Sequence, residues 1–259
     1  MEATSKSDGT VGKALDVLDV VAAFGRPVRF SELLARCQYP KATVYRLLQT
    51  LVSQGMLSHD HANNQYSLGV RLVRLAHTAW RQASLAPVAR SFLEELSGKV
   101  GESIHLAQME GGQVLFVDKV KVADMFDTLA QAGKVAPGYC TGVGKALLAF
   151  LPREARNRAL QQQAYMRYTD ATHGNRESLE QELQQIRDEG IAFDREEHER
   201  GIISIAAPIL SDTGHVIGSL SIASSTTRHS LATLQNFRPA LLATAEKIGS
   251  AAAVWQFPQ

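Results

Sequence analysis

The chain has 259 residues, 45% of them hydrophobic and 20% charged, with a formal net charge of +1. That length accommodates two domains, and the composition is globular rather than disordered or fibrous. The small net charge excludes a uniformly basic, nucleic-acid-coating chain. Charge is unevenly spread, however: residues 1–80 carry nine Lys/Arg against six Asp/Glu, and residues 81–259 carry 18 against 20. This permits a DNA-facing N-terminal part. Cys37 and Cys140 form no C-x-x-C pair, so neither a disulfide framework nor a structural zinc site is expected. The polar start MEATSKSDGT lacks a signal-peptide core, and no apolar run reaches the roughly 18 residues of a membrane span. A cytoplasmic protein with no membrane partner is expected.

Residues 1–10 read as a polar, disordered tail. Val11, Ala14, Leu15, Leu18, Val21 and Ala22 recur at helical spacing, and Gly25 with Pro27 ends that helix. Ser31 reads as the N-cap of a short second helix through Arg36. Pro40 opens a third, from Lys41 to Ser53, and Gly55 stops it. Residues 56–58 and 65–68 read as strands joined through His59–Asn64, with Asn63-Asn64 as turn formers. Three helices and a hairpin in about 60 residues describe a winged helix-turn-helix over residues 11–69. A linker helix over 70–84 follows, then a helix over 85–100 and a hairpin, IHLAQMEGGQVLFVDKV, turning at Gly111-Gly112. A loop through Ala136-Pro137-Gly138 leads to a helix at Gly144–Phe150, and two polar helices span about 153–163 and 176–189. Strands at 191–195, 203–210 and 215–223 and one long helix over 230–254 complete the chain. Residues 85–259 thus read as an α+β domain with an antiparallel sheet.

The segment PKATVYRLLQTL carries the chemistry of a recognition helix. Val44, Leu47, Leu48 and Leu51 share one face and pack inward. Lys41, Ala42, Thr43, Tyr45, Arg46 and Gln49 remain for DNA. Cations reach phosphate or guanine, hydroxyls bond phosphate, and glutamine reads adenine. Residues near the helix N-terminus enter the groove first, which favours Lys41, Thr43, Tyr45 and Arg46; wing residues 59–64 reach the neighbouring backbone. The alternative is an amphipathic helix with a solvated polar face; the preceding helix-turn unit and the following hairpin favour DNA.

VGKALDVLDVVAAFGRPVRFSELLARCQYPKATVYRLLQTLVSQGML is similar to the N-terminus of the isocitrate lyase regulator (IclR) family. The resemblance continues through YSLGVRLVRLA, GYCTGVGKALLAFL, FDREEHERGIISIAAPIL and GHVIGSLSIASSTTR, in order along nearly the whole chain. Its sugar-acid regulators, notably those answering to ketodeoxygluconate, look nearest. The resemblance implies a transcription factor, more often a repressor, that controls a catabolic operon. It also implies binding to operator DNA as a homodimer, often assembled into a homotetramer. The C-terminal domain would be GAF-like and take a small organic or sugar acid, with no cofactor. Carried over onto this chain, the effector pocket comprises Tyr139, Cys140, Thr141, Gly142, Val143, Gly144 and Lys145 before and in the GKA helix, then Asp194 and Ser204, then Ser221. Backbone N–H groups at that helix start favour a carboxylate. Some members carry Cys where this chain has Ser204, and Ser where it has Ala223. Ser224 does not simply replace the latter, because adjacent strand residues face opposite ways.

TGVGKA fails the P-loop pattern, with Tyr139 and Ala146 at its Gly and Ser/Thr places. His59 and His61 read as exposed wing residues rather than metal ligands, and His105 as a core or pocket-rim histidine. The run Arg195–Arg200 reads as a solvated loop. A second reading is an enzyme using Cys140, at a helix N-terminus that would lower its pKa, or Asp194 on a small acid. No complete catalytic constellation is identifiable, and a regulator is the expectation.

Overall fold

Val17, Leu18 and Val21 fall on one face of helix α1 (Thr10–Ala23), and what covers that face is the rest of the N-terminal unit. The computed structural model describes residues 9–122 and 128–253, without the side chains of 80–83. All but Gly9 and Thr10 of the expected tail lies outside the described residues, and Thr10 opens α1. The chain divides into two compact units at Arg81/Gln82.

In the first unit α1 is followed by β1 (Val28–Arg29), α2 (Phe30–Arg36), α3 (Lys41–Ser53), β2 (Leu57–Asp60) and β3 (Gln65–Leu68). Val28, Leu33, Val44, Leu47, Leu48, Leu51, Leu57 and Tyr66 complete its core with the three α1 residues. The strands form an antiparallel sheet in the order β1-β3-β2. Sequence reasoning missed β1, since two residues carry no periodicity. Ser31 is not the cap of α2 either. Arg29 takes that position, and the Glu32 carboxylate accepts the Arg29 N–H at 3.0 Å, so the cap lies two residues earlier than expected. The hairpin is tighter than expected: β2 runs on through His59 and Asp60, and the turn contracts to residues 61–64. The Asp60 carboxylate accepts the N–H groups of Ala62 and Asn63, and Asn64 adopts φ 52°, a conformation asparagine tolerates.

Helix α4 (Val70–Ala83) runs across the division between the units. The second unit contains α5 (Ala86–Val100), β4 (Ser103–Glu110), β5 (Gln113–Val120), β6 (Val135–Ala136), α6 (Gly142–Phe150), α7 (Arg153–Gln162), α8 (Arg176–Glu189), β7 (Ala192–Arg195), β8 (Ile202–Leu210), β9 (Val216–Ser225), α9 (Leu231–Leu234) and α10 (Arg238–Ala252). Its sheet is antiparallel throughout, ordered β6-β5-β4-β9-β8-β7. The two-residue β6 lies in a segment expected to be loop. Alternation divides the sheet into two faces. Ile104, Ile222 and Ile205 form one cross-strand row and Leu106, Leu220 and Ala207 the next; all six are fully buried, and helices α5 and α10 pack against these strands. The intervening residues face α6. The expected single helix over 230–254 is instead broken: α9 passes through a 3₁₀ turn, Gln235–Phe237, into α10. Pro239 lies in the first turn of α10, where its missing N–H is harmless, whereas inside a continuous helix it would remove a bond. Residue 254 lies outside the described residues. None of the described helices is long and apolar enough to cross a membrane.

Candidate functional site

Pro40 precedes α3, and its carbonyl accepts the N–H groups of Thr43 and Val44 at 2.9 and 3.0 Å. The helix so started buries Val44, Leu47, Leu48 and Leu51. Lys41, Ala42, Tyr45, Arg46 and Gln49 are exposed and Thr43 is half-buried. Tyr45 is steadied edge-on against Phe30 of α2, with ring centroids 6.1 Å apart. The next turn of structure is held by Arg71, which donates to the Gln54 carbonyl at 2.8 Å. In the hairpin the His59 ring stacks on Tyr66 at 4.4 Å, and its Nε2 lies 3.0 Å from Asn64 Oδ1. His59 is therefore an architectural part of the wing, and His61 packs edge-on against it.

In the second unit, Thr141 caps α6: its Oγ1 accepts the Gly144 N–H at 3.2 Å and donates to the Pro137 carbonyl at 3.0 Å. This cap starts the helix at Gly142, two residues before the expected start. Both glycines are required by close approach. A Cβ on Gly142 would lie 2.7 Å from Ser204 Oγ, and one on Gly144 would lie 2.5 Å from the Gly138 carbonyl oxygen. The start of α6 is thereby pressed onto the sheet. Beside it opens a cavity of about 430 Å³, its mouth included. Two cross-strand rows build its floor: His105 beside Ser221, and Ala223 beside Ser204 beside Asp194.

Of the ten residues expected at the pocket, six line it: Thr141, Gly142, Val143, Asp194, Ser204 and Ser221. The other four do not. Tyr139 is buried and donates to the Met166 carbonyl at 2.7 Å. Cys140 is fully buried, and burial, with the Asp194 and Glu197 charges, pushes its thiol up, opposite to the lowering expected at a helix N-terminus. Gly144 serves the close approach just described. Lys145 is fully buried and turned into an ion cluster: its Nζ lies 2.9 and 3.0 Å from the two Glu182 oxygens and also contacts Glu197 Oε1. Tyr139 and Cys140 precede α6, and the Lys145 side chain is drawn off toward Glu182 and Glu197, so none of the three lines the cavity.

The run 195–200 is not simply a solvated loop. Glu197 is buried, and His198 and Glu199 line the cavity. The kink that turns them inward is Glu196 at φ 61°, whose carboxylate accepts the Gly201 N–H at 2.6 Å. Sequence reasoning also passed over Phe116, Thr128 and Ala130. Thr128 Oγ1 lies 3.3 Å from His105 Nε2 and accepts from Lys119 Nζ at 3.0 Å. The β4–β5 pairing sets Lys119 opposite His105, and Lys119 Nζ holds Thr128 and Ala130 from the segment after β5; spacing alone does not reveal it.

Asp194 is buried, and its Oδ1 accepts the Glu197 N–H at 2.8 Å. Burial first, and then the Glu197 charge, pushes its carboxyl up to about 7. Burial also lowers His198. Glu182 is opposite: burial pushes its carboxyl up, but His173, Lys145 and Arg195 together outweigh that and hold it at about 2.

Residues 10–61 match the IclR helix-turn-helix domain, and residues 77–250 match the bacterial transcriptional regulator IclR C-terminal domain. The HTH-type transcriptional regulator KdgR of Escherichia coli K12 is 31% identical over 255 residues, covering 98% of this chain and 97% of that one. The HTH-type transcriptional regulator XynR of the same organism is 30% identical over 232 residues, covering 90% and 92%. A crystal structure of an IclR homologue from Microbacterium hydrocarbonoxydans, complexed with 4-hydroxybenzoate, superposes with a TM-score of 0.79 at 25% identity, covering 94% of this chain and 98% of that one. These relatives are regulators, not enzymes. With a DNA-binding helix-turn-helix unit and a small-molecule-binding C-terminal unit matched across most of its length, the chain belongs to the IclR family of bacterial transcriptional regulators.

Proposed function

We propose that this regulator represses a catabolic operon until a small organic acid, of the sugar-acid kind, enters the cavity of its second unit. In this reading residues 11–69 bind the operator, 70–84 link, and 85–259 sense. Lys41, Ala42, Thr43, Tyr45, Arg46 and Gln49 of α3 face the major groove, and the wing meets the neighbouring backbone. The observation that carries the ligand half is the cavity lining. The capped start of α6 offers backbone N–H groups to a carboxylate, while Ser204, Ser221, Thr128 and Glu199 surround the remaining space with hydroxyls and an acceptor. Phe116 is the one aromatic carbocycle among the described lining residues, which favours a polyhydroxylated acid over the aromatic acid held by the Microbacterium relative. Thr141, Gly142, Val143, Asp194, Ser204 and Ser221 are the proposed contacts. Tyr139, Cys140, Gly144 and Lys145 support them from behind.

A homodimer, and its assembly into a homotetramer, belongs to the same reading. The support is apolar surface with nothing to cover it within the first unit: Val11 and Leu15 on α1, and Val70 and Val73 on α4, are all exposed, Val70 to 82%. Two copies related by a two-fold axis would present their α3 helices to successive half-sites of an operator.

The test has two arms. Fluorescence anisotropy on the protein's own upstream DNA against random DNA should show a salt-dependent preference for the former. A thermal-shift screen of keto, sugar and aromatic acids should raise the melting temperature with a polyhydroxy acid, and that acid should release the DNA. Equal affinity for random DNA overturns the DNA half. A shift by aromatic acids alone overturns the ligand class.

A further inference from the structure

Behind the cavity, on the far side of Lys145, three potential metal donors converge. His173 precedes α8, Glu182 lies on it, and Glu197 follows β7. One donor atom from each lies within 4.8 Å of the other two. His173 Nε2 is 2.5 Å from Glu182 Oε2 and 3.9 Å from Glu197 Oε2.

The His173 ring is held from both sides. Its Nδ1 lies 3.1 Å from Ser178 Oγ. Ser178 has one hydroxyl proton, and its Oγ donates to the Asn175 carbonyl at 3.1 Å, closing the first turn of α8. With Nδ1 held by the Ser178 hydroxyl, Nε2 is aimed at the Glu182 and Glu197 carboxylate oxygens. A ring nitrogen fixed on its far side is also how proteins orient an imidazole toward a metal.

Glu197 supplies an independent observation. Its side chain is 3% exposed. Lys145 Nζ and the Arg195 N–H engage Oε1, while Oε2 is buried with no hydrogen-bond partner. A buried carboxylate oxygen without a partner is costly, and this one is aimed at the space shared with His173 and Glu182.

We propose that His173 Nε2, Glu182 Oε2 and Glu197 Oε2 form a divalent transition-metal site of the Zn²⁺ class, separate from the ligand cavity. A tetrahedral ion with donors at about 2.0 Å spaces them roughly 3.3 Å apart, between the two separations from Nε2. Closing on an ion requires only a modest parting of His173 from Glu182. The fourth position opens to a surface basin bordered by Ala171, Gln181 and Gln185, through which an ion and its water enter. Lys145 and Arg195 already balance the two carboxylate charges. The ion is therefore held by its donor set rather than by net charge. That favours imidazole-seeking Zn²⁺ or Co²⁺ over Mg²⁺ and Ca²⁺, which need several anionic oxygens.

The experiment uses the full chain, stripped with a chelator and titrated with Co²⁺. One equivalent should bind, with a visible d–d band. Binding should vanish in His173→Ala and persist in His61→Ala, which removes a wing imidazole. Circular dichroism checks that each variant is folded. In parallel, ring ¹⁵N spectra of the unaltered protein should show His173 Nε2 changing on addition of Zn²⁺, a readout that needs no variant. Absence of a stoichiometric band, an equal band in His173→Ala, or a His173 Nε2 signal unchanged in the presence of Zn²⁺ would each overturn the site.

Discussion

Gly142 and Ser204 meet so closely that a single added carbon on the glycine would sit 2.7 Å from the serine oxygen. That contact joins the helix start and the sheet at the cavity floor. Gly142→Ala is expected to cost about 1–3 kcal/mol, as overpacking does, and to weaken ligand binding. Ser204→Ala removes the oxygen that the new methyl meets. The double variant should therefore recover part of the loss, and a double-mutant cycle by urea denaturation measures it. Strict additivity would refute the contact as the cause.

Arg46→Ala is expected to weaken operator binding about tenfold or more. If Arg46 bonds phosphate, the salt slope should fall by about one; if it reads a base, specificity at one operator position should relax instead. Anisotropy at several salt concentrations separates the two.

Lys145→Met is expected to destabilise the protein by about 3–5 kcal/mol, because it leaves Glu182 and Glu197 buried around a lost cation. Adding Glu197→Gln should restore part of that. Equilibrium denaturation reads both.

The Asp194 carboxyl titrates near 7 in the folded protein, well above its ordinary 3.8. A raised folded pKa means that its contribution is fully present below about pH 4 and is lost as pH rises through 7. Asp194→Asn should therefore flatten the stability profile between pH 4 and 7 and lessen the loss above it, by an amount on the order of a few kcal/mol. Melting curves across this range, taken with a chelator present, give the comparison.

Thiol titration of the native protein should find Cys37, which is half-buried, and not Cys140, which is fully buried with its thiol pushed up. Both should react after unfolding.

Much of this molecule can be read from residue spacing. The four inward leucine and valine positions of α3 declare themselves at helical period, and Pro40 and Gly55 bracket them. The strands of the second unit likewise announce themselves by length and by β-branched content. What resists reading is whatever depends on pairing between distant segments. Two-residue β1 and β6 exist only because a partner strand holds them. His105 reaches the cavity from the β4–β5 ladder, and Thr128 is drawn to it by Lys119 on the paired strand. Lys145 sits in a conspicuous glycine-rich motif, yet its direction is decided by Glu182 and Glu197, which are 37 and 52 residues away. Glu197 itself hides in a run of charges that looks like ordinary surface.

The alternation of the central strands has one more consequence. Ile104, Ile222 and Ile205 support the molecule from one side, and their immediate neighbours His105, Ser221 and Ser204 face the cavity on the other. Scaffold and receptor are thus interleaved one residue at a time along the same strands. A lineage can rewrite every second residue to recognise a new nutrient while the residues between them continue to hold the fold.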